Sequence, residues 1–360
     1  MRILLTGASG FAGAHLAAHL FHREGHELFV LPSPNFRRER LAGVGYEVVS
    51  HAAQARAELV YHLASTPLTA SISARLHENV IVGGTRLLLE ELRAHQPRRL
   101  VMAGSAAEYG PGHGWREDDC PHPDTAFGHY KRAAAEMARA SGIASVHLRL
   151  FTPFGEGEAE GRLGPTVARA ALEGKPVRLA YDGRQTRDYF HVACLVEALV
   201  EAGRRPLEPG VAINVCSGTA RRVIDVARRL AELAGADPAL VEPGPLAAPY
   251  LWQSSGNRER AERLLGWWPR IDFDDGLRRT LAACGHANAG HPRLMATAEQ
   301  TAELGDGAPP AFSGNFDDRS RTVHTSPPTQ TPAHDARPGI LREPTSARSS
   351  LTCRQGDTQT

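Results

Sequence analysis

The stretch that most restricts the fold of this chain is the glycine-rich turn at its beginning. A short apolar run at residues 2–5 leads into the letters TGASGFAG, and a stretch with helical periodicity follows up to Gly25. Glycine permits a tight turn, close approach of a phosphate to backbone N–H groups, and close packing of a helix on a strand. The three glycines are Gly7, Gly10 and Gly13. The pattern predicts a strand, a turn and a helix N-terminus that binds the pyrophosphate of a dinucleotide.

Short apolar stretches alternate with helical ones over the first half of the chain. After the first strand, further candidate strands read HELFVLP, ELVYHLAS and RRLVMAGS, and the last two flank the amphipathic stretch NVIVGGTRLLLEELRAH. Strands that alternate with helices build a parallel sheet, because each right-handed crossover carries its helix back over the sheet. The sequence therefore predicts an α/β fold of the Rossmann type, with a doubly wound parallel sheet.

Changes in the pattern divide the chain into three predicted regions. Residues 1–150 are expected to form the dinucleotide-binding domain, to which the chain returns at about 185–216. Residues 151–184 and 217–284 are expected to form a smaller substrate-binding subdomain. In residues 285–360 Pro, Thr, Ser and Gly dominate and apolar periodicity stops, so this stretch is predicted to be a disordered tail.

Composition and charge argue against several classes of partner. The 360 residues carry a net charge of +1, so no overall field attracts nucleic acid or an anionic membrane. The five cysteines form no CxxC pair, and no metal site is expected. The chain starts with MRILLTG instead of a secretory signal, and no apolar run approaches the roughly 20 residues that span a bilayer. We expect a cytoplasmic protein that binds neither nucleic acid nor membrane.

The residues after the second predicted strand bear on the choice between NAD and NADP. Pro32 stands where a carboxylate that binds the adenosine ribose would favour NAD. Arg37 and Arg38 follow shortly, and they either accept the 2′-phosphate of NADP or are solvated surface charges. The sequence leaves the cofactor open between NAD and NADP.

Nine stretches occur in the order typical of one enzyme family, over about residues 1–284. They read TGASGFAG, YHLAS, NVIVGGTRLLLE, GSAAEYG, TAFGHYKRAAAE, RLFTPFGEGE, GRQTRDYFHV, INVCSG and LLGWWP. The chain thus resembles the extended short-chain dehydrogenase/reductase family, the NAD-dependent epimerases, dehydratases and ketoreductases of nucleotide sugars. It is most similar in pattern to the GDP-deoxymannose reductases and related 4-ketoreductases. Ala106 and Ala107 replace the Asp-Glu pair of the family's 4,6-dehydratases, which argues against their usual elimination of water.

The resemblance implies roles for several residues. Ser105 would hydrogen-bond the reacting sugar hydroxyl, and Lys131 would hold the nicotinamide ribose. Thr152 and Arg187 would contact the sugar and its diphosphate, unless Arg187 pairs with Asp188 instead. The residues expected to bind the cofactor are Gly7, Ser9, Gly10, Phe11, Gly13, Arg37, Leu63, Ala64 and Lys131.

Phe127 departs from the family at the position of its catalytic tyrosine, four residues before Lys131. A benzene ring cannot exchange a proton, and losing general acid–base catalysis costs roughly 10²- to 10⁴-fold in rate. Tyr130 lies three residues further on, on the same face of a helix, and we predict that its hydroxyl carries the proton. The competing interpretation of Tyr130 is an aromatic that only packs on its neighbours. Further candidates in nearby loops are Glu108, Cys120 and Tyr109.

The leading functional hypothesis is an NAD(P)-dependent enzyme that modifies a nucleotide sugar, either a 4-ketoreductase or an epimerase in deoxysugar assembly. One alternative is a degenerate member that binds a nucleotide sugar or a dinucleotide without turnover, which Phe127 and Pro32 favour and which Ser105 and Lys131 oppose. Another is an atypical dehydratase. The resemblance also implies a homodimer, formed through helices at residues 79–95 and 127–140.

Overall fold

The described residues of the computed structural model are 1–67, 72–246 and 253–288, and all of them belong to a single compact unit of the chain. Within them the strands, in chain order, are β1 Arg2–Thr6, β2 Glu27–Leu31, β3 Glu47–Val48, β4 Leu59–His62, β5 Arg99–Ala103, β6 Gly112–Trp115, β7 Ser145–Leu150, β8 Thr152–Phe154, β9 Val177–Arg178, β10 Thr186–His191, β11 Val211–Val215, β12 Ala220–Arg222, β13 Val241–Glu242 and β14 Ser254–Gly256.

The α-helices alternate with these strands over most of the described chain. They are α1 Phe11–His22, α2 Ala52–Ala55, α3 Ala74–His77, α4 Gly84–Leu92, α5 Ala126–Ala140, α6 Leu163–Leu172, α7 Val192–Arg204, α8 Val223–Leu233, α9 Glu259–Leu265 and α10 Phe273–Asn288. A π-helical segment at Glu78–Gly83 joins α3 to α4 without a break. Short 3₁₀ turns are present at Arg38–Leu41, Ala106–Glu108 and Pro238–Leu240.

Seven strands form one sheet in the order β11-β7-β5-β4-β1-β2-β3, and every neighbouring pair is parallel. The chain first adds β2 and β3 on one side of β1. It then crosses over and adds β4, β5, β7 and β11 on the other side, so the strand order reverses at β1. This arrangement confirms the α/β fold with a doubly wound parallel sheet. The carboxyl ends of β1 and β4 meet at the reversal, the place where such sheets bind ligands.

Helices cover both faces of the sheet because successive side chains of each strand point to opposite faces. On β1, Ile3 and Leu5 pack into a core shared with α1, α7 and α9, whereas Leu4 packs into a second core shared with α2, α4 and α5. The strands are therefore buried on both faces, which is the reason for their continuous apolar runs.

A third hydrophobic core lies outside the large sheet and is built mainly from α6, α8 and α10. Beside it β10 pairs with β8 in parallel and with β12 in antiparallel orientation, and β9 pairs with β13. The division into a dinucleotide-binding domain and a substrate subdomain stays a prediction. Of the tail predicted at 285–360, the first four residues continue α10 and the rest lies outside the described residues.

None of the helices in the described ranges combines the length and the apolar character that a membrane span requires. The same ranges contain no group of three His, Cys, Asp or Glu side chains arranged to hold a metal ion.

Candidate functional site

The glycine turn between β1 and α1 leaves no room for side chains at two of its three glycines. Gly7 has φ +69°, and a Cβ there would lie 2.6 Å from the amide nitrogen of Ala64. A Cβ at Gly13 would lie 2.1 Å from the carbonyl oxygen of Gly7, and Gly10 is the N-cap of α1. The turn thus brings bare backbone to the N-terminus of α1, a cradle that fits the pyrophosphate of a dinucleotide.

A buried chain of hydrogen bonds holds this turn against the sheet. His62 Nδ1 is 2.7 Å from Thr6 Oγ1, and His62 Nε2 is 3.0 Å from Thr85 Oγ1. Burial lowers the pKa of His62 to about 3, and Lys131 adds to the effect. Because Thr6 Oγ1 also accepts from the amide of Ala64 at 3.3 Å, this neutral histidine links β1, β4 and α4 behind the cofactor cleft. The sequence motif YHLAS contains His62, but its spacing alone gave no indication of this role.

The arginines after β2 lie beside the glycine turn. The backbone amide of Arg37 donates to Ser9 Oγ at 3.1 Å, and Arg40 Nη2 donates to the carbonyl oxygen of Gly157 at 2.7 Å. Burial lowers the pKa of Arg40, and the nearby charge of Arg37 lowers it further. Pro32 is exposed just after β2, and it has no carboxylate that could bind the adenosine ribose of a dinucleotide.

Lys131 lies on the buried face of α5. Its Nζ donates to the carbonyl oxygen of Ala103 at 2.8 Å, at the end of β5. Burial lowers the pKa of the Lys131 ammonium to about 8, against the opposing attraction of Glu108. Thr125 begins the helix, since its hydroxyl accepts from the amide of Gly128 at 3.1 Å.

Phe127 lies on α5 and is buried where this helix packs on the helical segment that precedes α4. The Nζ of Lys131 lies 5.8 Å from the centroid of its ring. The imidazole of His77 meets the same ring edge to face, with centroids 5.5 Å apart and an interplanar angle of 69°. The motifs gave no indication of His77, because it lies two residues before the stretch NVIVGGTRLLLE and belongs to none of the nine stretches.

Ser105 follows β5 and begins the 3₁₀ turn Ala106–Glu108. Its hydroxyl accepts from the amide of Ala107 at 3.1 Å, and its own amide donates to Glu108 Oε1 at 2.8 Å. The fully buried Glu108 carboxylate also accepts from His147 Nε2 at 2.9 Å and from Arg149 Nε at 3.2 Å. Burial opposes ionisation, but His147, Arg149 and the Ser105 amide outweigh it and lower the pKa of Glu108 to about 2.

Two of the loop residues considered as proton carriers are engaged inside the core. Glu108 has no exposed surface and remains a carboxylate under the Ser105 turn. Tyr109 is also fully buried; its hydroxyl donates to Asn214 Oδ1 at 2.8 Å and accepts from Arg149 Nη1 at 2.7 Å. Burial raises the pKa of Tyr109, so neither side chain offers a proton to a ligand. Cys120 is half-buried in the loop before α5.

An open cleft brings together the three residues expected to bind the substrate, Ser105, Thr152 and Arg187. Asp124 and Thr125 also line it, and burial raises the pKa of the Asp124 carboxyl. Phe127, Tyr130 and Lys131 are not among the lining residues. Tyr130 packs instead on the core that contains Phe127, so its predicted role in proton transfer stays a prediction.

The pairing of Arg187 with Asp188 that the sequence left open is not found in the described residues. The carboxylate of Asp188 accepts from the amides of Ser217, Gly218 and Gly256, at 2.6, 2.9 and 3.2 Å. Arg187 Nη1 donates to the carbonyl oxygen of Thr186 at 2.7 Å, and burial lowers its pKa. Asp188 therefore joins β10 to the segments after β11 and at β14, while Arg187 faces the cleft.

Comparison with known proteins gives the family of the chain. Residues 3–216 match the model of the NAD dependent epimerase/dehydratase family. UDP-glucose 4-epimerase from Corynebacterium glutamicum is 28% identical, covering 75% of this chain and 91% of that protein. The uncharacterised UDP-glucose epimerase YtcB from Bacillus subtilis is 24% identical, covering 78% and 97%. The structure of MoeE5 in complex with UDP-glucuronic acid and NAD is 26% identical with a TM-score of 0.73, covering 80% of this chain and 100% of that one. This chain belongs to the NAD dependent epimerase/dehydratase family.

Proposed function

We propose that the chain is a nicotinamide-dependent enzyme that acts on a nucleotide sugar as a 4-epimerase or a 4-ketoreductase. The observation that carries the proposal is the cleft in which Ser105, Thr152 and Arg187 meet. Lys131 is bonded to Ala103, two residues before Ser105, so the cofactor-side and the substrate-side groups converge on the end of β5. The names of the relatives support a UDP-sugar as the substrate class.

The residues of this chain have separate tasks in such a reaction. The backbone of the glycine turn would hold the cofactor pyrophosphate, and Lys131 would hold its nicotinamide ribose. The bound cofactor supplies a reversible acceptor for hydride. Ser105 accepts one hydrogen bond from Ala107, which leaves its own hydrogen to donate to the reacting sugar oxygen. The guanidinium of Arg187 would neutralise the diphosphate.

The choice between NAD and NADP belongs to the same proposal. The relative of known structure is a complex with NAD, which supports NAD for this chain. Arg37 lies beside Ser9, and Pro32 provides no carboxylate, which supports NADP.

The homodimer is likewise a proposal. It is supported by the exposed side chains of Leu76 on α3 and Leu87 on α4. Light scattering of the purified chain measures the oligomeric state.

The function is tested on the purified full chain. We expect a stoichiometric dinucleotide that absorbance and mass spectrometry identify as NAD or NADP. We also expect turnover of at least one compound in a panel of nucleotide sugars and 4-keto nucleotide sugars. Bound sugar or dinucleotide without turnover of any compound would instead identify the non-catalytic binding protein, and loss of water from the sugar would identify the atypical dehydratase.

Replacing Arg187 with alanine is expected to weaken binding of UDP-glucose about 10- to 100-fold, because hydrogen bonds to charged groups contribute roughly 1.5–3 kcal/mol. Calorimetric titration of the cofactor-loaded protein measures the change. Arg184→Ala is the matched control, since Arg184 lies three residues earlier with its side chain 70% exposed. Equal affinities of the two variants for UDP-glucose would show that Arg187 does not contribute to binding.

A further inference from the structure

Among the described residues, one histidine contacts the ring that stands at the position of the family's catalytic phenol. His77 ends α3 and is only 4% exposed, although it is a polar residue without an acidic partner among the described residues. Its ring contacts Phe127 edge to face, and Phe127 also contacts the Lys131 ammonium. Buried polar atoms usually have a hydrogen-bond partner, so the partners of the two ring nitrogens bear on the role of His77.

The two ring nitrogens of His77 are in different situations. Nδ1 is 2.6 Å from Thr66 Oγ1, in the segment that follows β4. Nε2 makes no hydrogen bond to any residue in the described ranges. Burial lowers the pKa of His77, so the neutral imidazole is the form present near pH 7. In the tautomer with its hydrogen on Nδ1, the imidazole donates to Thr66 Oγ1 and presents the lone pair of Nε2 as a base.

The backbone around His77 is also unusual. The π-helical segment Glu78–Gly83 begins with the next residue. A π-helix adds a residue to a turn, which re-aims the side chains before it relative to those after it, and such segments are frequent at functional sites. Here the π-helical segment lies between His77, whose ring contacts Phe127, and Thr85, whose hydroxyl hydrogen-bonds with His62.

We infer that His77 carries the proton of the reacting sugar hydroxyl, in the role that Phe127 cannot fill; the inference rests on the proposed function. In the oxidation direction the O–H bond breaks and its proton passes to Nε2. The C–H bond breaks with its electron pair, which goes as hydride to the nicotinamide dinucleotide, and C=O forms. Reduction returns the proton from Nε2 to oxygen, and nothing else is consumed. In this role Thr66 Oγ1 accepts the hydrogen bond from Nδ1–H and orients the ring, as a positioning residue.

The first test compares variants for turnover of the panel substrate, for bound dinucleotide and for melting temperature. His77→Gln is expected to lower kcat by about 10²- to 10⁴-fold. Its bound dinucleotide and melting temperature should match those of the wild type. His95→Gln is the matched control at an exposed histidine after α4, and it should leave all three unchanged. Tyr130→Phe and Asp124→Asn should keep far more activity than His77→Gln; a larger loss in either would assign the proton to that residue and overturn the inference.

A second variant distinguishes a catalytic role of His77 from a purely structural one. Adding Phe127→Tyr to His77→Gln supplies a phenol next to Lys131, and we expect it to restore at least 10-fold of the lost rate. Phe127→Tyr alone is the comparison: it should raise the rate of the otherwise wild-type chain much less than that of His77→Gln, because the former already has a proton carrier. Equal gains in both would indicate a histidine that only packs. Failure of rescue in a variant that keeps its dinucleotide would count against the inference.

A readout independent of activity comes from nitrogen-15 NMR of the imidazoles at pH 7, with the His77 signals identified by their loss in His77→Gln. The inference requires hydrogen on Nδ1 and none on Nε2, so hydrogen on Nε2 would overturn it. A wild type that turns over no compound of the panel would refute the proposed function and this inference together. A wild type that is active and tolerates His77→Gln would refute the inference alone.

Discussion

Glu108→Gln is expected to destabilise the protein by about 3–5 kcal/mol, the usual cost of removing one partner from a buried ion pair. The carboxylate holds His147, Arg149 and the amide of Ser105, and it has no exposed surface. A glutamine keeps the shape but removes the charge, which leaves the Arg149 guanidinium, only 11% exposed, without its counter-ion. Because the same carboxylate holds the Ser105 turn, we also expect turnover to fall. Urea unfolding measures the change in stability.

The pH dependence of this change has a definite sign. The pKa of Glu108 is about 2 in the folded chain and near 4.5 ordinarily, so the ionised group stabilises the fold above about pH 4.5. That contribution is lost as the pH falls from about 4.5 to about 2. The difference in unfolding free energy between wild type and Glu108→Gln should therefore shrink over this window. A difference that stays constant would mean that Glu108 titrates equally in both states.

The control for Glu108 is an ion pair at the surface. Glu160 pairs with Arg169 at 2.8 Å, but its side chain is 78% exposed. Glu160→Gln is expected to leave the unfolding free energy nearly unchanged, because water screens exposed pairs.

Gly13→Ala is expected to abolish binding of the dinucleotide and to destabilise the chain by about 1–3 kcal/mol or more. The added methyl group would lie 2.1 Å from the carbonyl oxygen of Gly7 and 2.9 Å from Cα of Ala8. Both neighbours are backbone atoms, so the turn itself must shift and the cradle for the pyrophosphate is lost. Fluorescence titration with NAD and NADP, together with the melting temperature, measures the two effects.

Gly84→Ala separates a steric cause from the general effect of exchanging a glycine. Gly84 begins α4 with φ −61°, and a Cβ there would meet no atom within 4 Å. Alanine is favoured over glycine in a helix by roughly 0.5–1 kcal/mol, so this variant should be slightly more stable and should bind the dinucleotide normally. Equal loss of binding in both variants would contradict the steric explanation.

The sequence predicted the sheet well because each buried strand is a short apolar run and each crossover helix has a clear period. It also predicted one substrate site with Ser105, Thr152 and Arg187; the three residues line one cleft, and their role in binding stays a prediction. The motifs did not indicate which residues, distant along the chain, contact these side chains. The buried carboxylate of Glu108 meets His147 and Arg149 some 40 residues later, and that distance follows from the pairing of β5 with β7.

The region around Phe127 illustrates the same limit. A helical wheel places Tyr130 on the face of Phe127, and Tyr130 does pack on that core, but Phe127 is also contacted from another helix. His77 contacts it from α3, and Thr66 holds His77 from the segment after β4. Neither contact follows from helical spacing, because each joins two different segments of the chain.

The sequence by itself determined the order of strands and helices, the glycine turn and the loss of the phenol, because these depend on local spacing and residue type. Only the tertiary structure decided which groups surround Phe127 and Ser105, and which carboxylates are free to act. The physical reason is that burial and charge pairing depend on neighbours in space. They make Glu108 an ionised support at neutral pH and leave His77 neutral beside Phe127, at the position of the missing phenol.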